Sequence, residues 1–521
     1  MRIGIDVGGT NTDAVLMDGA EVVSTVKTPT TEDVTSGIMT ALGELERGSG
    51  VNPADVRAVM IGTTHFINAL VEANRLAPTA ALRLGLPATA ALPPMVDWPA
   101  SLVRAVAGRP YLCHGGFEYD GQPISEPDEN EIRSAARDML DHGVRSVAIS
   151  SVFSPVSAEH EMRAAEIIAA EAPDMMISLS HQIGRLGLLQ RENATIINAA
   201  LVEMAAQIVD GLAVAVRGAG VEAPLYLSQN DGTLMEIHYA RKYPVATFAS
   251  GPTNSMRGAA FLSGLSDCVV VDVGGTTTDV GVLHRGFPRE AATEVVVAGV
   301  RTNFRMPDVV SIGLGGGSVV RESGSLGIEV GPDSVGYRLT ESALVFGGDV
   351  LTATDIGVAA GVLDVGDAAR VRHLSGDFAK RALGTIEAKI GQVIDRMRTS
   401  RELPPVVVVG GGEFLVPDTL DGVDGVHRTE HFAVANAIGA AIAQIGGEVD
   451  RIYPMEPGRR DAVLDAAKQE AVDRAVAGGA DPDRVEIVEV DEVPIAYLPG
   501  NATRIRVKAV GDLLLTSRRG I

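Results

Sequence analysis

Apolar and polar positions alternate through the first thirty residues. Ile3, Ile5 and Val7 form one run, Ala14, Val15 and Leu16 a second, and Val22, Val23 and Val26 a third, with glycine-bearing turns between them. A period of two is the strand pattern, so this stretch predicts a β-meander. A helical period follows at 33–48, and an apolar run at 56–62 stops at Thr63-Thr64-His65. Helical spacing at 128–142 and 158–171 flanks a strand at 144–153, which sets an α/β rhythm. Farther on, 191–216 carries a long helical period, 224–235 reads as a strand ending in a polar glycine turn, and 364–400 reads as the longest helix. Pro404-Pro405 precede 406–412, a continuous apolar run ending in three glycines, as expected of a strand buried on both faces. Past 448 the pattern changes to a charged helix at 459–477 and strands at 484–490 and 503–510. The expected divisions are an N-terminal lobe at 1–180, a second lobe at 181–447 and a small α/β appendage at 448–521.

The opening meander recurs: IDVGGTNTDAVLMDG from Ile5 is matched by VDVGGTTTDVGVLHRG from Val271. Each copy is a strand ending in aspartate, two glycines, hydroxyl residues, a second aspartate and a returning apolar strand. Without a Cβ the glycines let backbone N–H groups approach phosphate oxygens, so both copies read as phosphate-gripping hairpins. The binding candidates are Gly8, Gly9, Thr10, Asn11 and Thr12 in the first copy and Gly274, Gly275, Thr276 and Thr277 in the second. Asp6 and Asp272, at the strand ends, are placed to hold Mg2+ through its water shell or to orient an attacking group. Asp13 and Asp279 on the return strands support or cap the loops, and Asp279 joins Asp6 and Asp272 as a catalytic candidate. Two copies predict a duplicated, hinged two-lobe fold. Three more glycine loops fit this plan: Ser250-Gly251-Pro252, the loop holding Gly315, Gly316 and Gly317, and Gly410-Gly411-Gly412, the expected purine contact. No Walker A sequence is present.

Composition narrows the class. With 46 % apolar and 21 % charged residues the chain reads as globular, and no run of about 18 apolar residues or signal-peptide pattern appears, which predicts a cytoplasmic protein with no membrane partner. A formal charge of -23 without a clustered basic surface argues against nucleic acid. Cys113 and Cys268 are too few for a four-cysteine zinc site. Cys113, His114, Glu118 and Asp120 gather ligand types around Gly115-Gly116, but their spacing matches no closed zinc pattern. His427 and His431 have i, i+4 spacing in a loop-like context, and Arg191-Glu192 read as an ordinary surface ion pair. Thr63, Thr64, His65 and Asn68, at a strand end, are candidates to face a substrate.

With these residues in hand, the chain resembles the hydantoinase A and 5-oxoprolinase family of the actin, hexokinase and Hsp70 superfamily. The resemblance runs in order over about residues 1–447: the two hairpins, IGTTHFINALVE at 61–72, RENATIINAAL at 191–201, SQNDGTLM at 228–235, ASGPTNS at 249–255, IGLGGGS at 312–318, GPDSVG at 331–336, GGDVLTATDIGVAAG at 347–361 and FAVANAIGAAIA at 432–443. It implies a duplicated actin-like (ribonuclease H-like) two-lobe α/β ATPase fold. It implies further an enzyme that uses ATP and Mg2+ to phosphorylate and open a cyclic amide such as a hydantoin, 5-oxoproline or another lactam. The chain is shorter than the long hydantoinase A subunits and has no fused second-subunit region, so a separate hydantoinase-type partner subunit is expected, with room for a homo-oligomer. A sugar or carboxylate kinase of the same superfamily and a nucleotide-driven switch are the competing readings.

Overall fold

A computed structural model describes residues 1–9, 11–30, 34–291, 295–323, 327–455, 458–495 and 501–515. Its two principal sheets repeat one five-strand plan. In the first, Arg2–Val7 pairs antiparallel with Asn11–Asp18 and parallel with Ala58–Thr63. Glu21–Pro29 continues beyond the hairpin on the antiparallel side, and Leu225–Ser228 beyond Ala58–Thr63 on the parallel side. In the second, Cys268–Val273 pairs antiparallel with Thr278–His284 and parallel with Val406–Val409, flanked by Val309–Ile312 and Val426–Arg428 in the matching places. The centre strands IGIDV and VVVDV are buried on both faces except at the half-buried Asp272, so each carries its aspartate at the end of an otherwise apolar strand. The two-lobe actin-like ATPase fold is thus present as a topological duplication, and the register is duplicated with it. Asp6 lies opposite Asp13 in one hairpin, and Asp272 opposite Asp279 in the other.

Two helices carry the chain between the sheets. Ser250–Ser263 leads into the second sheet, and Ala435–Ile442 leads back to the strand Gln444–Tyr453 of the first. Small residues let them cross in contact: a Cβ added at Gly258 would overlap the Ala435 carbonyl, and one at Gly439 the Asn254 carbonyl. Substituting either glycine therefore forces the helices apart.

The sheets cut across the expected sequence divisions. Gln444–Tyr453, Thr503–Leu513 and Ala480–Pro494 extend the first sheet to nine strands, next to Thr233–Glu236, with the helix Arg460–Ala477 packed on them. Periodicity reports which face of a strand is buried but not which edge it joins, so this placement is invisible along the chain. Residues 79–179 form a separate four-stranded parallel sheet, ordered Arg109–His114, Thr79–Leu86, Ser146–Ser151 and Met176–Leu179, with its own apolar core.

The longest helix is Leu188–Gly218, 31 residues, rather than 364–400, where the helix is Gly376–Met397. There the Ser375 hydroxyl accepts from the Phe378 amide and fixes a later start. Leu188–Gly218 is long and apolar enough to cross a membrane by length and composition, yet it lies in the main core, with Ala194 through Leu201 buried. At its start Arg191 and Glu192 are buried, so the surface-pair expectation is overturned. Glu192 is gripped by Arg83 Nε at 2.7 Å, while Arg191 donates to the Ser151 and Arg185 carbonyls. A buried guanidinium needs such a full set of acceptors.

Candidate functional site

Each hairpin turn closes the same way. The Gly8 amide donates to the Asn11 carbonyl at 3.0 Å, and the Gly274 amide to the Thr277 carbonyl at 2.9 Å. Thr30 Oγ1 pins the first turn through the Gly8 carbonyl, and Thr12 Oγ1, buried, meets Thr30 Oγ1 at 3.3 Å. Thr10 lies outside the described residues. At the tips, a Cβ on Gly9, Gly275 or Gly411 would meet nothing within 4 Å, so each of these glycines has space beside its Cα. Their amides enter none of the turn bonds.

The loop at 315–317 departs from its expected binding role. Its three glycines are buried, and their amides are spent: Gly315 N on Ser318 Oγ at 2.9 Å, Gly316 N on the Gly274 carbonyl at 3.0 Å, and Gly317 N on the Gly275 carbonyl at 2.7 Å. With no free donor the loop braces the second hairpin from behind. Gly410 and Gly412 likewise give their amides to the Phe432 and Val273 carbonyls. Gly410, at φ +89°, lies so near Asp272 Oδ1 that any side chain would overlap the carboxylate.

The carboxylates of the two hairpins are near enough to act on one another's charge. Asp6 is buried, and its oxygens accept from Asn254 Nδ2 at 3.2 Å and Asn436 Nδ2 at 3.1 Å, one from each connecting helix. Asn436 Nδ2 also reaches Asp13 Oδ2 at 2.9 Å. The next residue of the first helix, Ser255, hydrogen-bonds Asp272, so consecutive residues of one helix hold the two repeat aspartates. Lys27 Nζ pairs with Asp13 at 2.9 Å, also donates to the Ala433 carbonyl, and lends its charge to Asp272. Burial pushes the Asp6 carboxyl up to about 6 despite its two amide donors, with Asp13 and Asp272 adding to the rise. Burial raises Asp272 as well. Asp279 is pushed up to about 6 by burial, against a hydrogen bond from Ser311 and with Asp272 contributing. Asp6, Asp13, Asp272 and Asp279 act on one another's charge, and among the described residues Lys27 is the cation paired with them, which makes a site short of positive charge.

Thr63, Thr64, His65 and Asn68 sit beside Asp6 at the end of the neighbouring parallel strand. Thr63 Oγ1 meets His65 Nδ1 at 2.8 Å, Ser250 Oγ donates to the Thr63 carbonyl, and Asn68 Nδ2 reaches Thr64 Oγ1 at 3.4 Å. Burial and Arg75 lower the His65 pKa, which favours the neutral ring. Sequence reasoning missed Lys27, Asn254, Asn436, Ser255 and Ser311. Asn254 and Ser255 fall within ASGPTNS and Asn436 within FAVANAIGAAIA, yet no spacing rule points them at the aspartates. The remaining metal candidates separate: Cys113 is buried, His114 Nδ1 meets Glu131 at 2.8 Å, and Asp120 caps the amide of Gln122. His427 lies on the short strand Val426–Arg428, so it shares no helix with His431. Among the described residues no group of three or more such side chains is placed to hold a metal directly.

Fold and duplicated hairpins together define the two-lobe actin-like ATPase fold. Residues 2–172 match the hydantoinase/oxoprolinase N-terminal region and residues 191–397 the hydantoinase/oxoprolinase domain, and the chain belongs to the hydantoinase/oxoprolinase family. It is 27 % identical over 473 residues to caprolactamase subunit alpha of Pseudomonas jessenii, across 84 % of this chain and 65 % of that one. The acetophenone carboxylase gamma subunit of Aromatoleum aromaticum is 27 % identical over 70 % of this chain and 53 % of its own length. The chain thus spans less than two thirds of these relatives. The solved structure of ATP-dependent caprolactamase from Pseudomonas jessenii superposes with a TM-score of 0.79 at 19 % identity, covering 100 % of this chain and 88 % of that one. Acetone carboxylase in its nucleotide-free structure gives 0.71 at 18 %, covering 98 % and 88 %. At such identities the likeness is one of fold.

Proposed function

We propose that this chain is the ATP-using subunit of an enzyme that phosphorylates the carbonyl oxygen of a cyclic amide and so readies the ring for hydrolysis. The observation that carries it is that Asn254 holds Asp6 of the first hairpin while the next residue, Ser255, holds Asp272 of the second, and that Asp272 is near enough to raise the Asp6 pKa. A reaction that draws on both lobes at once fits that arrangement. The amides of Gly9, Gly275 and Gly411, which enter none of the turn bonds, are the donors for phosphate oxygens, and Lys27 is the nearby cation. The carboxyl-rich, charge-poor cleft fits Mg2+; with no three-ligand cluster among the described residues, Asp6 and Asp272 would hold it through water. Such an ion neutralises phosphate charge and lowers the raised pKa of the surrounding carboxyls.

Amide resonance makes an unstrained lactam a poor electrophile. A phosphorylated carbonyl oxygen carries its own leaving group, which converts the ring into a substrate for water. Kinship with caprolactamase subunit alpha supports the lactam as acceptor, and relatives named as subunits support a separate partner that completes the hydrolysis. The test is ADP release by the purified chain, alone and with the co-encoded partner, against hydantoin, 5-oxoproline, neutral lactams and sugars. Lactam-dependent release that disappears in Asp272→Ala is expected. A stable sugar phosphate formed in step with ADP would overturn the proposal.

A further inference from the structure

A cavity of about 1060 Å3, lined by none of the hairpin glycines or aspartates, occupies the place where the first sheet loses a strand. Thr233 and Leu234 pair with Gln444 and Ile445 of the strand Gln444–Tyr453, and past Glu236 the chain turns away into the helix Ile237–Lys242. On its other side Gln444–Tyr453 keeps a full ladder with Thr503–Leu513, from Ile445 to Tyr453. One edge of this strand therefore opens on the cavity, whose wall includes Glu448, Asp450, Arg451 and Ile452.

The ladder fixes which backbone groups that edge presents. In an antiparallel pair the N–H and C=O groups of successive residues point alternately to the two sides of the strand. The Ile495 amide donates to the Ala502 carbonyl at 2.9 Å, so Ala502 and, in steps of two, Arg504, Arg506 and Lys508 turn toward Ala480–Pro494. Thr503, Ile505, Val507 and Ala509 then turn toward Gln444–Tyr453, where they meet Tyr453, Arg451, Val449 and Gly447. Glu448, Asp450 and Ile452 are left pointing at the cavity. The Glu448 carbonyl agrees, since it accepts from Arg474 Nη1, in the cavity wall, at 2.5 Å. The amides of Glu448, Asp450 and Ile452 enter no turn, loop or side-chain bond among the described residues. Such a row of open backbone groups is a template for a further strand.

Charge beside that edge selects what pairs with it. Arg451 holds Glu470 with both terminal nitrogens, at 2.9 and 3.2 Å, and Arg474 Nη2 takes the same carboxylate at 2.7 Å. Two guanidiniums on one carboxylate leave one positive charge, and both side chains are nearly half exposed. The other cations of the wall are matched, Arg185 with Glu290, Arg305 with Glu448, Arg504 with Asp450 and Lys508 with Asp231. Glu236, the remaining carboxylate of the wall, lies by His238 and pairs with neither Arg451 nor Arg474. We infer that this edge takes a strand from the partner subunit: an extended segment that pairs with residues 448–452 and sets an acidic side chain between Arg451 and Arg474. The inference rests on the partner-subunit reading above. Main-chain pairing supplies affinity that is blind to sequence, and the arginine pair makes it selective. A second copy of this chain, at a formal charge of -23, would approach against its own charge.

The test is residue-resolved amide hydrogen exchange of the full chain, free and in complex with its co-encoded partner subunit. In the free chain the amides of Glu448, Asp450 and Ile452 are expected to exchange about 10-fold or more faster than those of Gly447, Val449 and Arg451, which are bonded across the sheet. Partner binding is expected to slow the first three about 10-fold or more and to leave the other three unchanged. Ile452→Pro removes an edge donor without touching the ladder to Thr503–Leu513 and should weaken the complex about 10-fold or more. Should that variant not fold, Arg451→Gln combined with Arg474→Gln decides: it is expected to weaken the complex about 10-fold and to remove most of its salt dependence. Failure of the two subunits to form a complex overturns the partner reading and this inference with it. A complex in which the three edge amides exchange as before, or all six slow alike, overturns the inference alone. Binding that is indifferent to the loss of both arginines overturns the acidic segment. Edge protection that grows with the concentration of the free chain assigns the edge to a second copy and likewise overturns the inference.

Discussion

The two hairpins are nearly one sequence written twice, yet the fold grips them differently. Backbone grips the second: the amides of Gly316, Gly317 and Gly412 go to the carbonyls of Gly274, Gly275 and Val273. Side chains grip the first: Asn254 and Asn436 reach Asp6 from two different helices, and Lys27 secures Asp13. Backbone contacts fix a loop whatever the neighbouring residues are, whereas side-chain contacts pass on the position of the elements that bear them. The second half-site thus has a backbone brace in addition to its Ser255 and Ser311 bonds, while Asp6 of the first is held by side chains of both helices that join the lobes.

The sharpest break in that comparison is to remove each aspartate in turn. Asp6→Ala and Asp272→Ala are each expected to cut substrate-dependent ADP release about 100-fold or more, since both groups serve one charge-neutralising site. Retention of activity by either variant would show that the site is not shared. Next come the glycines that pack on the carboxylates. Gly62→Ala presses on Asp6 and Gly410→Ala on Asp272. Both should lower unfolding stability in urea by about 1–3 kcal/mol, with Gly410 the worse because its positive φ adds strain.

A smaller effect tests the wiring. A double-mutant cycle pairing Asn436→Ala with Asp6→Asn should give a coupling of about 1 kcal/mol in unfolding free energy, because the two groups bond directly. The same cycle pairing Ser311→Ala with Asp6→Asn should give a coupling near zero, as Ser311 bonds Asp279 in the other half-site. Equal couplings would erase the distinction between the half-sites.

The smallest effect is in pH. The Asp279 carboxyl is pushed up to about 6 in the folded chain, so the folded state holds its proton more tightly than the unfolded chain does. Its contribution to stability therefore grows as pH falls through about 6 toward the ordinary carboxylate range, and it weighs against folding above that. Asp279→Asn should raise the Tm of the nucleotide-free protein near neutral pH and flatten the Tm profile between about pH 7 and pH 5. An unchanged profile would mean that the group is not held neutral by its surroundings.

Much of the fold was legible because it is periodic. The strands at Arg2–Val7 and Cys268–Val273 alternate or run apolar, and the helices Glu129–Asp141, Glu159–Glu171 and Arg460–Ala477 lie within two residues of their expected bounds. The helix at 364–400 was overextended because its apolar spacing begins before Ser375 supplies the cap. Arg191 and Glu192 looked like a surface pair because charge at a helix start normally faces water; here Arg83, Ser151 and Ser180 supply the acceptors and donors from other elements.

By itself the sequence determined the duplicated hairpins, their aspartates and the family, since glycine turns, strand periods and ordered motifs are local properties written residue by residue. Tertiary structure decided which glycine amides stay free, how the C-terminal strands join the first sheet, and that Asn254, Ser255 and Asn436 hold the aspartates. It also left one edge of the strand Gln444–Tyr453 open on a cavity. Those outcomes depend on which carbonyl or carboxylate arrives opposite a given donor, and residues hundreds of positions apart meet only when the sheets and their two connecting helices have packed.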